Sequence, residues 1–481
     1  MQGKVLDVIT NMYIKAKSCV SINGAESGYF PCHTGVRQGE NLSPLLFSIY
    51  LSDLNNFLSS ECTSLSYLDS IQEDLLDREV STFFKLYLLM YADDTVLLAE
   101  SPKDLQTSLN AMKEYCTLFD LKVNISKTKI MIFSRGKLRK PHSFYFGDEK
   151  LDVVNEYNYL GLIFNYNAKF NVAKKFLYQK GSRAMFALLK KIRKLALPVD
   201  IALKLFNNLV KPVILYGAEV WGCENYDIFE KLQLRFCKYI LSVNKSTCSN
   251  MVYGELGVMP VNIDVKTRMI VYWAKLICGN QGKISNLIYS LLYKLDQLNI
   301  FKSDWIHTIK SILNNSGFSG IWLSQSIPHS ADNLRDKIKI RLKDQFIQQW
   351  YEGISHGGKC TNYRIFKKIF TFEKYLTELP DQLRKNMTKF RCRNHRLPIE
   401  SGCRTHVSRD MRICQHCRKD IGDEYHYLLS CPHFTTERAK YIKKTCWQKP
   451  SAIQLERLMN NTNSDDFRKL SMFVKFILST F

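Results

Sequence analysis

The stretch "LLMYADDTVLLAES", residues 88–101, places two aspartates, Asp93 and Asp94, between apolar runs. Each run has strand length, and aspartate favours turns, so the stretch predicts a hairpin with both carboxylates at its tip. The apolar flanks predict that this hairpin is buried within a sheet. An ionised carboxylate in such a setting costs several kcal/mol without a counter-charge, and adjacent carboxylates repel one another. A divalent cation removes both problems. Mg²⁺ takes oxygen ligands and leaves positions for water and phosphate, and a carboxylate-held pair of such ions is the recurring device of phosphoryl transfer at nucleic-acid ends. The chemistry that fits Asp93 and Asp94 is therefore nucleotidyl transfer with Mg²⁺ as cofactor.

Outward from the hairpin, strand-like and helix-like segments alternate over the first 165 residues. "SPLLFSIYLSDLNNFL", 43–58, reads as one helix, with Ser43 as its cap, Pro44 in its first turn and Leu46, Ile49, Tyr50, Leu54 and Phe57 on its apolar face. "SPKDLQTSLNAMKEYCTLF", 101–119, is a second helix with Leu105, Leu109, Met112, Cys116 and Phe119 inward. "LKVNISKTKIMIFS", 121–134, and "YNYLGLIF", 157–164, read as strands, and "DSIQEDLLDRE", 69–79, as an acidic excursion.

The chain has 481 residues, with 68 Lys+Arg against 45 Asp+Glu, a formal net charge of +23. An excess of that size points to a polyanionic partner, most simply nucleic acid. No signal-peptide core and no apolar run of membrane-spanning length occurs in the sequence. The expected location is thus intracellular, in cytoplasm or nucleus, with no membrane partner. The fifteen cysteines are expected to be reduced there.

From residue 166 the pattern turns helical. "NAKFNVAKKFLYQKGSRAMFALLKKIRK", 167–194, carries nine basic residues and no acidic one. Cations interleaved with apolar residues predict a helix with one buried and one cationic face, and Lys190, Lys191, Arg193 and Lys194 are candidate phosphate contacts. Near the C-terminal end, "CQHCRKDIGDEYHYLLSCPHF" holds Cys414, Cys417, His426 and Cys431 with the spacing C-x2-C-x8-H-x4-C. Four such ligands match a closed structural Zn²⁺ site, with His416 and His433 available as substitutes and Asp423 or Glu424 as groups that orient a ligand. Cys392 and Cys403 fall outside the pattern. The segment 386–445 looks poor in large apolar residues, so its fold is expected to depend on the metal. The surrounding arginines, Arg391, Arg393, Arg396, Arg404, Arg409 and Arg412, suggest a basic lobe for RNA or DNA.

"YADD", 91–94, resembles the metal-binding hairpin of reverse transcriptases. "GVRQGENLSPLLFSIYLSDL", 35–54, resembles the block that precedes it in reverse transcriptases of non-LTR (LINE-type) retrotransposons, and 121–134, 157–164 and "KPVILYGAEVWG", 211–222, are similar to later blocks in the same order. The zinc pattern is similar to a segment that follows the polymerase in these elements. The resemblance implies an RNA-directed DNA polymerase that takes an RNA template, a DNA primer or target and deoxynucleoside triphosphates. It implies that Asp93 is the principal Mg²⁺ ligand and Asp94 its partner. It also implies that Arg37, Gln38 and Gly39 lie against the incoming nucleotide and template, Lys127 near the triphosphate and Tyr91 near the primer end. The expected fold is α+β. A partial palm of antiparallel sheet and helices spans 1–165, a helical thumb-like region 166–290, a helical connector 291–383, a zinc-binding segment 384–446 and a helical tail 447–481.

The resemblance also implies a further carboxylate, on an earlier palm strand, in a block of the form F-x-D-x-x-x-A-F-D. Upstream of Gly35 the acidic residues are Asp7 and Glu26, and neither has that context. The chain is thus expected to begin inside the palm and to be weak or inactive as an enzyme by itself. The alternative is a non-catalytic nucleic-acid-binding zinc protein derived from such an element.

Overall fold

Helices alternate with short strand pairings in this computed structural model, which describes residues 3–32, 35–37, 39–61, 88–91, 93–134, 142–279, 283–328 and 330–481. Gln38 and the acidic stretch 69–79 lie outside the described residues. The chain divides into two units, one of residues 1–132 and 137–154, the other of 133–136 and 155–481.

In the first unit, α1 (Lys4–Ile14) precedes α2 (Ser43–Tyr50) and α3 (Leu54–Glu61). The helix expected over 43–58 is therefore broken at 51–53. The break turns Leu51, Leu54 and Leu58 together into a core with Ala111 and Tyr115, and leaves Ile49 and Tyr50 exposed. Ser43 does not cap α2. It is a helical residue whose hydroxyl donates to the Arg37 carbonyl at 2.5 Å.

Strands β1 (Leu88–Tyr91) and β2 (Asp94–Leu97) pair antiparallel, with Tyr91 opposite Asp94. Helix α4 (Pro102–Leu118) follows, and its cap Ser101 accepts from the Asp104 N–H at 3.1 Å. α4 is buried on two sides. Ala111 and Tyr115 meet α3, while Leu109 and Cys116 meet Ile130, Phe144, Phe146 and Leu151. These last residues come from a three-stranded sheet of β3 (Lys129–Ile130), β4 (Phe144–Phe146) and β5 (Glu149–Val153), in the order β3-β5-β4. The strand expected over 121–134 is thus only two residues long, because most of its backbone is irregular and pairs with no other strand.

The second unit opens with a hairpin, β6 (Glu156–Tyr159) and β7 (Leu162–Asn165), where a single strand was expected. The turn forms at Leu160 and Gly161, both with positive φ. Helices then dominate. α5 (Asn171–Lys194), α6 (Asp227–Ile240), α7 (Val261–Cys278), α8 (Asp304–Asn315), α9 (Ala331–His356), α10 (Asp381–Arg391) and α11 (Ser464–Ser479) share one continuous core, from Leu162 to Ile477. α7 packs on α9, and α10 on α11. Gly181 lets α5 close on its neighbour, since a Cβ there would stand 2.2 Å from Ile214 Cγ2. Among the described residues no helix is long and apolar enough to cross a membrane.

Candidate catalytic hairpin and metal centre

The hairpin at Asp93 and Asp94 is less buried than its sequence suggests. Leu88 and Leu97, at its base, lean on the core of α3 and α4, and the register carries Tyr91, Asp93 and Asp94 outward. Tyr91 is 63 % exposed, and both aspartates are exposed. The correction has a simple cause: β1 and β2 form a two-stranded sheet, so no further strand covers them among the described residues. The carboxylates fit Mg²⁺ in kind, as hard oxygen donors. They fall short in number, since among the described residues no third acidic, His or Cys ligand joins them.

Of the residues predicted to line the nucleotide, Arg37 is held by α1. Arg37 Nη1 pairs with Glu40 Oε1 at 2.8 Å and Nη2 donates to the Met12 carbonyl at 2.6 Å. Tyr13 donates to Glu40 Oε2 at 3.2 Å, so Glu40 anchors the turn. Gly39 has a φ of 90°, a conformation open to glycine and strained for other residues. Lys127 is exposed in a turn, where its N–H donates to the Asn124 carbonyl at 3.1 Å.

In the second unit Cys414, Cys417, His426 and Cys431 converge. Their ligand atoms all lie within 4.8 Å of one another. Cys414 Sγ stands 3.8 Å from Cys431 Sγ, and Cys417 Sγ 3.3 Å from His426 Nε2. Burial opposes a thiolate at Cys414, but the nearby Tyr427 hydroxyl and the N–H groups of Cys417 and His416 outweigh it and bring the thiol below its ordinary range. Burial pushes Cys431 up to about 12, with Cys414 adding to the shift. Burial lowers the His426 pKa, which keeps its ring neutral and able to coordinate. Three thiols and an imidazole are the donor set that a tetrahedral structural ion takes.

The surrounding carboxylates divide the work differently from the sequence expectation. Asp423 Oδ1 accepts from the His426 N–H at 2.9 Å, fixing the backbone. Glu424 faces His395 Nε2 at 2.8 Å, and Asn362 bonds both acids. The acid beside the outer nitrogen is Asp420, whose Oδ2 lies 3.4 Å from His426 Nδ1.

The basic lobe needs a larger correction. Arg391 is wholly buried, bidentate on Glu255 at 3.0 and 3.1 Å and paired with Glu373 at 3.0 Å. Arg393 is buried against Glu400, and Arg412 donates to the Val407 and Ile399 carbonyls. Three of the six arginines are therefore internal struts, and Arg396, Arg404 and Arg409 remain exposed. The segment also has its own share of the core, in Leu397, Ile399, Tyr427, Leu428, Leu429 and Phe434. It is not an apolar-poor tail that metal alone holds.

On α5, Lys174 is buried and paired with Glu224 at 2.7 Å. Lys175, Lys180, Arg183, Lys190, Lys191, Arg193 and Lys194 are exposed. At 3.6 residues per turn these seven fall within an arc of roughly 160°. None of them is ion-paired among the described residues.

Residues 3–164 match the family described as reverse transcriptase (RNA-dependent DNA polymerase). Among individual relatives, a transposon-derived protein of Caenorhabditis elegans is 32% identical over 138 residues, which are 28% of this chain and 48% of that protein. The RNA-directed DNA polymerase from mobile element jockey of Drosophila funebris is 23% identical over 253 residues, 51% of this chain and 25% of the relative. The retrovirus-related Pol polyprotein from type-1 retrotransposable element R2 of Popillia japonica is 24% identical over 265 residues, 53% and 40% of the two chains. The chain spans less than half the length of each of these relatives. In its matched part it is similar to RNA-directed DNA polymerases of mobile and retrotransposable elements.

Proposed function

We propose that this chain carries out RNA-directed DNA synthesis, as part of a non-LTR retrotransposon polypeptide. The observation that carries the reading is the tight turn that presents Asp93 and Asp94 outward within the segment matched to reverse transcriptases. When bound at these carboxylates, Mg²⁺ would supply charge stabilisation at the transferring phosphate. In this reading Tyr91 packs beside the primer end and Lys127 faces the triphosphate. Arg37, Gln38 and Gly39 form the surface under the incoming nucleotide, with Glu40 and α1 holding Arg37 in place. Residues 1–165 act as palm, 166–290 as thumb-like helices and 291–383 as connector. Residues 384–446 form a segment pinned by Zn²⁺ on Cys414, Cys417, His426 and Cys431, and 447–481 a helical tail. Lys190, Lys191, Arg193 and Lys194 contact phosphates of the template or primer.

A two-carboxylate site lacks part of the preorganised charge on which this chemistry depends, so catalysis by the chain alone is weak. Purified chain is expected to bind a primed RNA template. With Mg²⁺ and the four deoxynucleoside triphosphates it should give slow primer extension that disappears in Asp93→Ala. Extension indifferent to Asp93→Ala, or no binding of the primed template, overturns the proposal.

A further inference from the structure

A cleft of about 620 Å³ opens between α7, α8 and α9, far along the sequence from the hairpin and the metal centre. Its volume lies in the range of small-ligand pockets, roughly 300–1,000 Å³. Its lining is of three kinds. Ile312 and Leu342 are buried and give it an apolar floor. Gln348 and Gln349 on α9 line it as exposed amides, each a donor and an acceptor together. Lys266 on α7 supplies its ammonium group, which is ion-paired to no carboxylate among the described residues although Glu352 also lines the cleft.

The fourth feature is a deficit. Ser316, at the end of α8, is 3 % exposed and lines the cleft, yet its hydroxyl has no hydrogen-bond partner. A buried hydroxyl without a partner costs about 1–3 kcal/mol, and such groups in native proteins call for an explanation. Burial also pulls the Lys266 pKa down, so an anion arriving there meets a poorly solvated ammonium. Cation, unsatisfied hydroxyl, amides and apolar floor match the parts of a nucleotide: phosphate, sugar hydroxyl, base edge and base face.

We propose that this cleft holds one unpaired nucleotide of a single-stranded nucleic acid, with its phosphate on Lys266, its sugar at Ser316 and its base edge against Gln348 and Gln349. The inference rests on the reading that the chain handles nucleic acid, and adds a site apart from the cationic face of α5. A paired base has its Watson–Crick edge occupied and cannot offer it to the two amides, so the site discriminates single strands from duplex.

The test uses the full chain and a labelled 20-nucleotide RNA, single-stranded or in duplex with its complement, followed by fluorescence anisotropy. Lys266→Met and the double variant Gln348→Ala/Gln349→Ala are each expected to weaken single-strand binding about tenfold and duplex binding less than twofold. Both glutamines are exposed on α9, and an unchanged thermal melt certifies that the double variant folds. Single-strand affinity within twofold of the native chain in both variants overturns the proposal, as do equal losses on single strand and duplex. Alanine at Lys190, Lys191, Arg193 and Lys194 separates the two levels. If that variant loses both RNAs while the cleft variants lose neither, the cleft assignment alone fails. If the native chain binds neither RNA, the nucleic-acid reading fails with it.

Discussion

Asp420 stands where a carboxylate can hold the outer nitrogen of a ligating histidine, 3.4 Å from His426 Nδ1. The sequence offers three acids between Cys417 and His426, and nothing in their order distinguishes them. Asp423 and Glu424 adjoin the histidine but are taken up by its backbone N–H, by Asn362 and by His395. Only the three-dimensional path of the turn brings Asp420 to that nitrogen. Zinc bound by purified chain, measured by chelator competition, is expected to weaken about 10–100-fold in Asp420→Asn. Cys414→Ser and Cys417→Ser should lose the ion, and Cys403→Ser should keep it. Cys392→Ser should also keep it. Because Cys392 is 1 % exposed within the core, that change should still cost about 1–3 kcal/mol in denaturant unfolding. The convergence of Cys414, Cys417, His426 and Cys431 was legible, because their spacing within one short segment constrains them.

At the scale of elements, α4 and α5 were legible from period alone, and the segments before and between them were not. Helical period treats 43–58 as one run. It has no means of seeing that Tyr115, fully buried on α4, donates to Asp53 at 2.6 Å and holds the break between α2 and α3. The two-residue β3 and the hairpin of β6 and β7 were misread for a related reason, since apolar content marks burial without marking which backbone pairs with which. On α5 the cationic face was visible, but Lys174 was counted with it. Its ammonium is instead spent on Glu224 and the Asn225 carbonyl. The remaining seven cations leave a clear expectation. Replacing Lys190, Lys191, Arg193 and Lys194 by alanine should flatten log K against log salt by up to about 3, at roughly 0.7–0.9 per phosphate contact. A titration series between low and moderate salt checks this, and an unchanged slope moves the phosphate contacts off this helix.

For the whole molecule, a net charge of +23 conceals how many cations are internal. Arg391 looks like surface charge in the sequence because no nearby acid marks it. Its partners, Glu255 and Glu373, lie well outside its own helix, Glu255 at a separation of 136, and only the folded chain brings both to it. Buried pairs of this kind are costly to break from one side. Arg391→Ala is expected to destabilise the second unit by about 3–5 kcal/mol, as two carboxylates are left without their counter-charge. Equilibrium unfolding in urea, followed by tryptophan emission, measures it. A loss below about 1 kcal/mol would mean that water reaches the pair.

The partnership of α10 with α11 bears on how the protein is made. Phe473, Val474 and Ile477 are wholly buried, and they come from α11, made after the rest of the core it covers. Until the ribosome has added residues 464–479, the groove that receives them is open and its apolar lining is wet. The second unit therefore cannot seal before those residues emerge, and a chain that stops ahead of residue 464 leaves the groove uncovered. Such a product exposes the kind of surface that chaperones hold and that aggregates otherwise. Synthesis of α11 thus acts as a quality gate on the second unit.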